Sequence, residues 1–374
     1  MSCSTSSSSS SLLSMRCAAR SVSSLSSGGR KSSSRFVQRT TETTTTTTTR
    51  FIGKAGGGAA SRRGSATVMM NAAMSTVIPA EVSEFIEPAA IEMAKRVEVI
   101  EVPVEGREKS VMTSLVQSKN KEASGEYHPF VLLHGFDSSC LEYRRLFPKL
   151  EENGAEAYAL DLLGWGFTDG LDGGVGDYSP EAKCAHLYAW WKQNVNRPIV
   201  LAGASLGGAA AIEFASRYPE AVARLVLIDA QGFIDGIGPM GMLPTPIAKA
   251  GVDILRTRWL RSGANKMAYF DQKYATDDAQ NVGRLHTLLP QWNDATLSFM
   301  RSGGFRVVEK IPKLKTKTMV LWGRGDKILE PENAERFERE IEDCELVWVE
   351  ESGHVPHLEQ PDFTCAQLLR FGKK

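Results

Sequence analysis

The sequence predicts an α/β fold: a mostly parallel, doubly wound sheet with an N-terminal antiparallel hairpin and an inserted helical cap. Three observations predict it. From Pro129 onward, short continuous apolar runs alternate with helix-forming stretches, the pattern of parallel strands covered by helices on both faces. Gly203-Ala204-Ser205-Leu206-Gly207 stands between an apolar run, Pro198 to Ala202, and a small-residue stretch, Gly208 to Ala215. A serine between two glycines at a sharp strand-to-helix turn is lifted into a cleft, because larger side chains at the glycine positions would block the tight approach. Between about Gly232 and Ser302 the alternation stops for about 70 residues, far longer than an ordinary connection.

The 374-residue chain divides on this pattern into a targeting segment (1–70), a first core part (71–231), a helical cap (232–302) and a second core part (303–374). Residues 1–70 contain a pure serine run, Ser6 to Ser11, and a pure threonine run, Thr43 to Thr49. Ten of the 44 Lys and Arg lie there but a single one of the 44 Asp and Glu, Glu42. Basic, acid-poor and hydroxyl-rich is the composition of an organelle transit peptide, a plastid being favoured over a mitochondrion; a low-complexity tail on a cytosolic protein is the alternative. The remainder carries a net charge of about −9, which argues against nucleic acid or an anionic membrane as the main partner. No apolar run approaches the ~20 residues that span a bilayer, and peripheral membrane contact stays open. Cys140, Cys184, Cys344 and Cys365 lack paired or metal-like spacing, so free thiols are expected.

Element by element, an acidic helix is expected over Val82 to Lys95, then hairpin strands at Val97 to Val102 and Ser110 to Val116 joined near Glu105-Gly106. Strand Phe130 to Leu133 leads to helix Leu141 to Asn153, strand Ala155 to Leu160 to helix Pro180 to Val195, and then comes the serine turn. Strand Ala223 to Asp229 precedes the cap, which is rich in Met, Pro and Gly at first and helical after. Strand Thr318 to Trp322, helix Pro331 to Ile341, strand Glu345 to Val349 and helix Phe363 to Phe371 complete the pattern.

A serine hydroxyl becomes a nucleophile only when a base takes its proton and a third group holds the base's tautomer. Asp326 follows strand residues Met319 to Leu321 within Trp322-Gly323-Arg324-Gly325-Asp326, and His354 follows Leu346 to Val349. Ser205, Asp326 and His354 thus fall at the carboxyl ends of strands, where sites in such sheets form. His134-Gly135-Phe136 follows another strand, so the Phe136 N–H, together with that of Leu206, is the candidate oxyanion donor pair.

Taken together, Leu133-His134-Gly135-Phe136, Asp161-Leu162-Leu163-Gly164-Trp165-Gly166, Gly203-Ala204-Ser205-Leu206-Gly207-Gly208, the Asp326 segment and Gly353-His354-Val355-Pro356-His357 resemble the cap-bearing branch of the α/β-hydrolase superfamily over residues ~95–372. The leader adds a resemblance to plant or algal plastid members. The branch includes esterases, epoxide hydrolases and C–C hydrolases. Ser205 stands where epoxide hydrolases and haloalkane dehalogenases carry aspartate, which sets them aside. Val355 stands where ring-cleaving C–C hydrolases usually have an aromatic, which weakens that alternative.

The resemblance implies a carboxylic-ester hydrolase for a small substrate with an apolar moiety, working through an acyl-enzyme on Ser205 without metal or organic cofactor. A cap-gated small-molecule receptor and an acyltransferase on the same residues are the other readings. Trp165, Met240 and Met242 are the candidate substrate-binding residues, Met suiting irregular apolar ligands. Asp229, ending its strand, is the rival to Asp326 because some branches use that position. His134 and His357 are expected to support loops, Asp161 and Asp169 to anchor the turn around Trp165, and His128, His186 and His286 to be ordinary surface or helix residues.

Overall fold

The computed structural model describes residues 77–119, 125–169, 176–236 and 242–374. The expected transit segment and Met240 lie outside the described residues.

An eight-stranded sheet organises the described chain. Its strands are β1 (Glu98–Val102), β2 (Val111–Gln117), β3 (Phe130–Leu133), β4 (Ala157–Leu160), β5 (Ile199–Ala204), β6 (Val222–Ile228), β7 (Thr318–Gly323) and β8 (Cys344–Val349). They lie in the order β1-β2-β4-β3-β5-β6-β7-β8. The first two pair antiparallel, as does β2 with β4, and every later pairing is parallel. The expected hairpin and doubly wound sheet are therefore both present.

Continuous apolar strands have a simple cause here. Successive side chains alternate faces, and both faces are covered. Val131, Leu133, Leu201, Leu225, Leu227, Val320 and Trp322 belong to one apolar cluster. It takes in helices α3 (Pro180–Asn194) and α4 (Leu206–Arg217). The intervening residues Phe130, Leu132, Val200, Ala202, Val226, Met319 and Leu321 face a second cluster. That one includes Met93 of α1 (Pro88–Ala94), Phe147 and Leu150 of α2 (Phe147–Glu152), and Leu368 of the C-terminal helix (Pro361–Gly372).

Two expected helices are shorter than their apolar pattern, and proline is the reason in both. The acidic stretch becomes a 3₁₀ turn, Ala80–Glu84, followed by α1 starting at Pro88; the stretch from Leu141 becomes a 3₁₀ turn, Cys140–Tyr143, followed by α2 with Pro148 in its first turn. Proline lacks the N–H needed in a helix interior but is tolerated in a first turn.

Between β6 and β7 the described chain forms α5 (Thr245–Leu255), α6 (Arg258–Ala268), α7 (Asp277–Arg284) and α8 (Trp292–Arg301). The α9 helix (Glu332–Glu340) then connects β7 to β8, and α10 (Pro356–Glu359) precedes the C-terminal α11 (Pro361–Gly372). No helix among the described residues is long and apolar enough to cross a membrane. Cys140, Cys184, Cys344 and Cys365 are free thiols.

Candidate active site

Ser205 joins β5 to α4 with φ 50° and ψ −120°, a backbone state that costs a non-glycine residue about 1–3 kcal/mol. Three main-chain bonds hold it there. Its N–H donates to the Ile228 carbonyl (2.9 Å), and its own carbonyl accepts from Gly208 (2.9 Å) and Gln231 (2.8 Å). The flanking glycines are obligatory: a Cβ at Gly203 would strike the Gly207 carbonyl, and one at Gly207 the Leu133 and His134 carbonyls.

His354 and Asp326 meet. His354 Nδ1 lies 2.8 Å from Asp326 Oδ2, which leaves the imidazole Nε2 uncommitted to the carboxylate. The other carboxylate oxygen, Oδ1, accepts from the N–H groups of Ile328 (2.7 Å) and Leu329 (3.1 Å), so the acid is fixed from both sides. His354 and Ser205 line the same cavity, of about 350 Å³.

Asp229 sits behind this pair, buried. Its Oδ1 accepts from the Gly323 N–H at 2.9 Å. Burial and then the Asp326 charge hold its carboxyl well above the usual range, so Asp229 keeps its proton where Asp326 is charged. Asp229, Asp326 and His354 place ligand atoms within 4.8 Å of one another. Asp229 Oδ1 and both Asp326 oxygens already face main-chain N–H groups or His354 Nδ1, and a protonated Asp229 is a poor cation ligand.

Phe136 lines the cavity beside Ser205. Leu206 is the first residue of α4, so its N–H has no intrahelical acceptor. Two groups, buried His134 and half-buried Glu142, brace the turn between β3 and Phe136. His134 Nδ1 lies 2.8 Å from the Gly135 carbonyl, and its Nε2 accepts from the Leu162 N–H (3.1 Å). Burial holds the His134 ring below its ordinary value. The Gly135 N–H donates to Glu142 (3.1 Å to Oε2), and His357 Nε2 lies 3.3 Å from Glu142 Oε1. Burial pushes the Glu142 carboxyl up, but His357 and His134 more than offset it and bring it to about 2.

The substrate-binding expectations are revised. Trp165 is buried but does not line the cavity. Its ring is enclosed by Phe136 (centroids 5.4 Å apart), Phe299 (4.8 Å) and the Lys183 Nζ (3.7 Å), and its indole N–H reaches Thr296. Met242 is 87% exposed and outside the cavity. Apolar lining comes instead from Phe136, Ala264, Ala268, Val282, Val355 and Leu358.

The sequence model of the Alpha/beta hydrolase family matches residues 130–367. The chain belongs to that family. It is 40% identical over 293 residues to an alpha/beta hydrolase domain-containing protein, VTE7, of Arabidopsis thaliana, covering 76% of this chain and 86% of the relative. It is 25% identical over 260 residues to Lipase 1 of Psychrobacter immobilis, covering 69% and 80%. Among solved structures, a thermophilic esterase from Thermogutta terrifontis superposes with a TM-score of 0.60 at 20% identity, over 73% of this chain and 97% of the esterase.

In this alpha/beta hydrolase, the helical insertion is tied to the site by residues that sequence reading passed over. Asp137, next to Phe136, adopts φ 51° and is buried. Its carboxylate accepts from Trp292 Nε1 (2.6 Å), lies 2.8 Å from His286 Nε2, and pairs with Arg261 of α6. Burial pushes Asp137 up, yet Arg261 and His286 outweigh it and hold the carboxyl below its ordinary value. His286 is therefore buried and engaged, not an ordinary surface residue. His186 is likewise buried, 2.7 Å from the Thr113 hydroxyl. Asp161 anchors the turn around Trp165 as expected, accepting from the Cys140 and Phe167 N–H groups. The one sequence signal for Asp137 is an acid directly after His134-Gly135-Phe136; its partners lie more than a hundred residues away.

Proposed function

We propose that this alpha/beta hydrolase is a serine hydrolase that cleaves a carboxylic ester with an apolar moiety. The observation that carries the reading is a strained serine and a carboxylate-held histidine on one cavity. Asp326 fixes the imidazole with its proton on Nδ1, so Nε2 takes the Ser205 proton as Oγ attacks the ester carbonyl. The Phe136 and Leu206 N–H groups hold the oxyanion, His354 protonates the departing alcohol, and water then hydrolyses the acyl-enzyme by the same route. The apolar lining suits an acyl or alcohol portion of hydrocarbon character. Relatives named as lipases and a fold neighbour described as an esterase support the class.

We further propose that the protein works in a plastid, with residues 1–70 as the transit segment and 232–302 as a cap over the cavity. The leader's composition and the plant relative support the location.

A fluorescent alkyl fluorophosphonate tests the chemistry. The folded chain should be labelled, and Ser205→Ala and a heat-denatured sample should not. An ester panel would then define the substrate, and added acceptor alcohols would reveal acyl transfer by their ester products. Failure of the folded protein to react would overturn the hydrolase reading and favour a ligand-gated receptor.

A further inference from the structure

Helices α5 and α6 bury little. Only Ala248 and Val252 of α5 are buried, and no residue of α6 is. Ile247 and Ile254 are seven positions apart and therefore share one side of α5; both are more than half exposed. On α6 the division is sharper. Arg261, Ala264, Asn265 and Ala268 line the cavity. Trp259, Lys266 and Met267 lie around the opposite side of the helix, with Trp259 73% exposed. A tryptophan so placed on a surface helix exposes costly apolar area.

The charge around this apolar side is distinctive. Apart from Arg261, which faces the cavity and pairs with Asp137, residues 245–270 hold Lys249, Arg256, Arg258 and Lys266 against one acid, Asp253, in a chain whose residues beyond the leader are net acidic. Lys249, Arg256 and Arg258 make only exposed ion pairs, with Asp294, Asp253 and Glu84. Arg284, beside them, is held below its ordinary value by burial first and then by the Arg258 and Arg261 charges, with Glu81 and Glu84 opposing. An apolar strip carrying Trp and Ile within a basic surround is the chemistry of a helix that lies in a lipid interface, where each cation gains from anionic headgroups.

We propose that the outer side of α5 and α6 docks this protein onto an anionic lipid bilayer. The occupant is the bilayer surface itself, with Ile247, Ile254, Trp259 and Met267 entering the headgroup region and Arg256 and Lys266 meeting anionic headgroups. Because the other side of α6 lines the cavity, docking places the cavity wall one helix thickness from the lipid. The proposal concerns binding alone, so it stands or falls separately from the chemistry at Ser205.

Co-sedimentation of the full chain with vesicles tests it, using phosphatidylcholine mixed with phosphatidylglycerol and phosphatidylcholine alone. The protein should partition onto the anionic vesicles and be released by high salt. Ile254→Gln with Trp259→Ala should lower the partition coefficient at least about tenfold. Arg256→Glu with Lys266→Glu should abolish the preference for anionic over neutral vesicles. Melting temperatures of both variants near the parent's would show that the fold is intact. The leader is common to all samples, so equal binding of parent and variants would assign attachment elsewhere and overturn the proposal. So would a concentration-dependent dimer that the Ile254/Trp259 variant dissolves, since the face would then belong to a second copy.

Discussion

The main-chain N–H of His354 donates to the carbonyl of Ala268, 2.8 Å away. One residue ends helix α6 of the insertion and the other carries the imidazole beside Ser205. Glu359 reinforces the tie, accepting from the N–H groups of Gly353 (2.6 Å), Phe270 (3.2 Å) and Asp271 (2.9 Å). The end of α6 and the histidine loop are thus tied by main-chain and carboxylate hydrogen bonds. Glu359→Gln keeps the size but weakens acceptance from three donors. It should lower kcat about tenfold and speed proteolysis near residues 268–272, read by limited digestion and peptide mapping.

Asp326 and Asp229 should respond differently to replacement by Asn. Asp326→Asn loses the acceptor that orients His354, and kcat against a reactive ester should fall about 10³–10⁴-fold with KM little changed. Asp229→Asn replaces a carboxyl that already keeps its proton and should leave kcat within about threefold. A larger loss in the Asp229 variant would reassign the acid.

The Asp229 variant carries a stability signature as well. The carboxyl is held above its unfolded value, so the unfolded state releases a proton that the folded state retains. Stability must therefore decline as pH rises above the ordinary Asp range. Asn has no such proton, so the melting temperature of Asp229→Asn should lie above the parent's at neutral and alkaline pH and converge with it in acid.

Glu142 should behave in the opposite sense. With its carboxyl lowered from 4.5 to about 2, its stabilising contribution is full above pH 4.5 and is lost as pH falls toward 2. Glu142→Gln should flatten the decline of melting temperature across that window. Losing the charged acceptor at Gly135 should also slacken the Phe136 turn and lower kcat more than it changes KM.

Asp137 joins the Phe136 turn to the insertion through Arg261, His286 and Trp292. Asp137→Ala leaves a largely buried guanidinium and an indole N–H without their acceptor. A loss of about 3 kcal/mol is expected, read as a lower urea midpoint at constant slope.

Much of the fold was legible because its signals are local. Continuous apolar runs require two covered faces, and Gly203 and Gly207 admit a turn that no Cβ would allow. Pro88 and Pro148 likewise set the starts of the helices before β1 and after β3. The site was legible in part for the same reason. Ser205, Asp326 and His354 each follow a strand directly, and strand ends converge on one edge of a parallel sheet. Trp165 and Met242 were placed in the pocket on residue type, and type does not say which way a side chain faces.

By itself, the sequence determined the strand and helix order, the serine turn, and the residues at the strand ends, since each rests on contacts between near neighbours in the chain. Only the tertiary structure decided that the Asp229 carboxyl is held above its ordinary range, that the Glu142 carboxyl beside Gly135 is held below it, and that Asp137 binds the insertion to the core. Those outcomes depend on burial and on charges brought together from distant segments, and a buried carboxylate's state is set by what surrounds it in space.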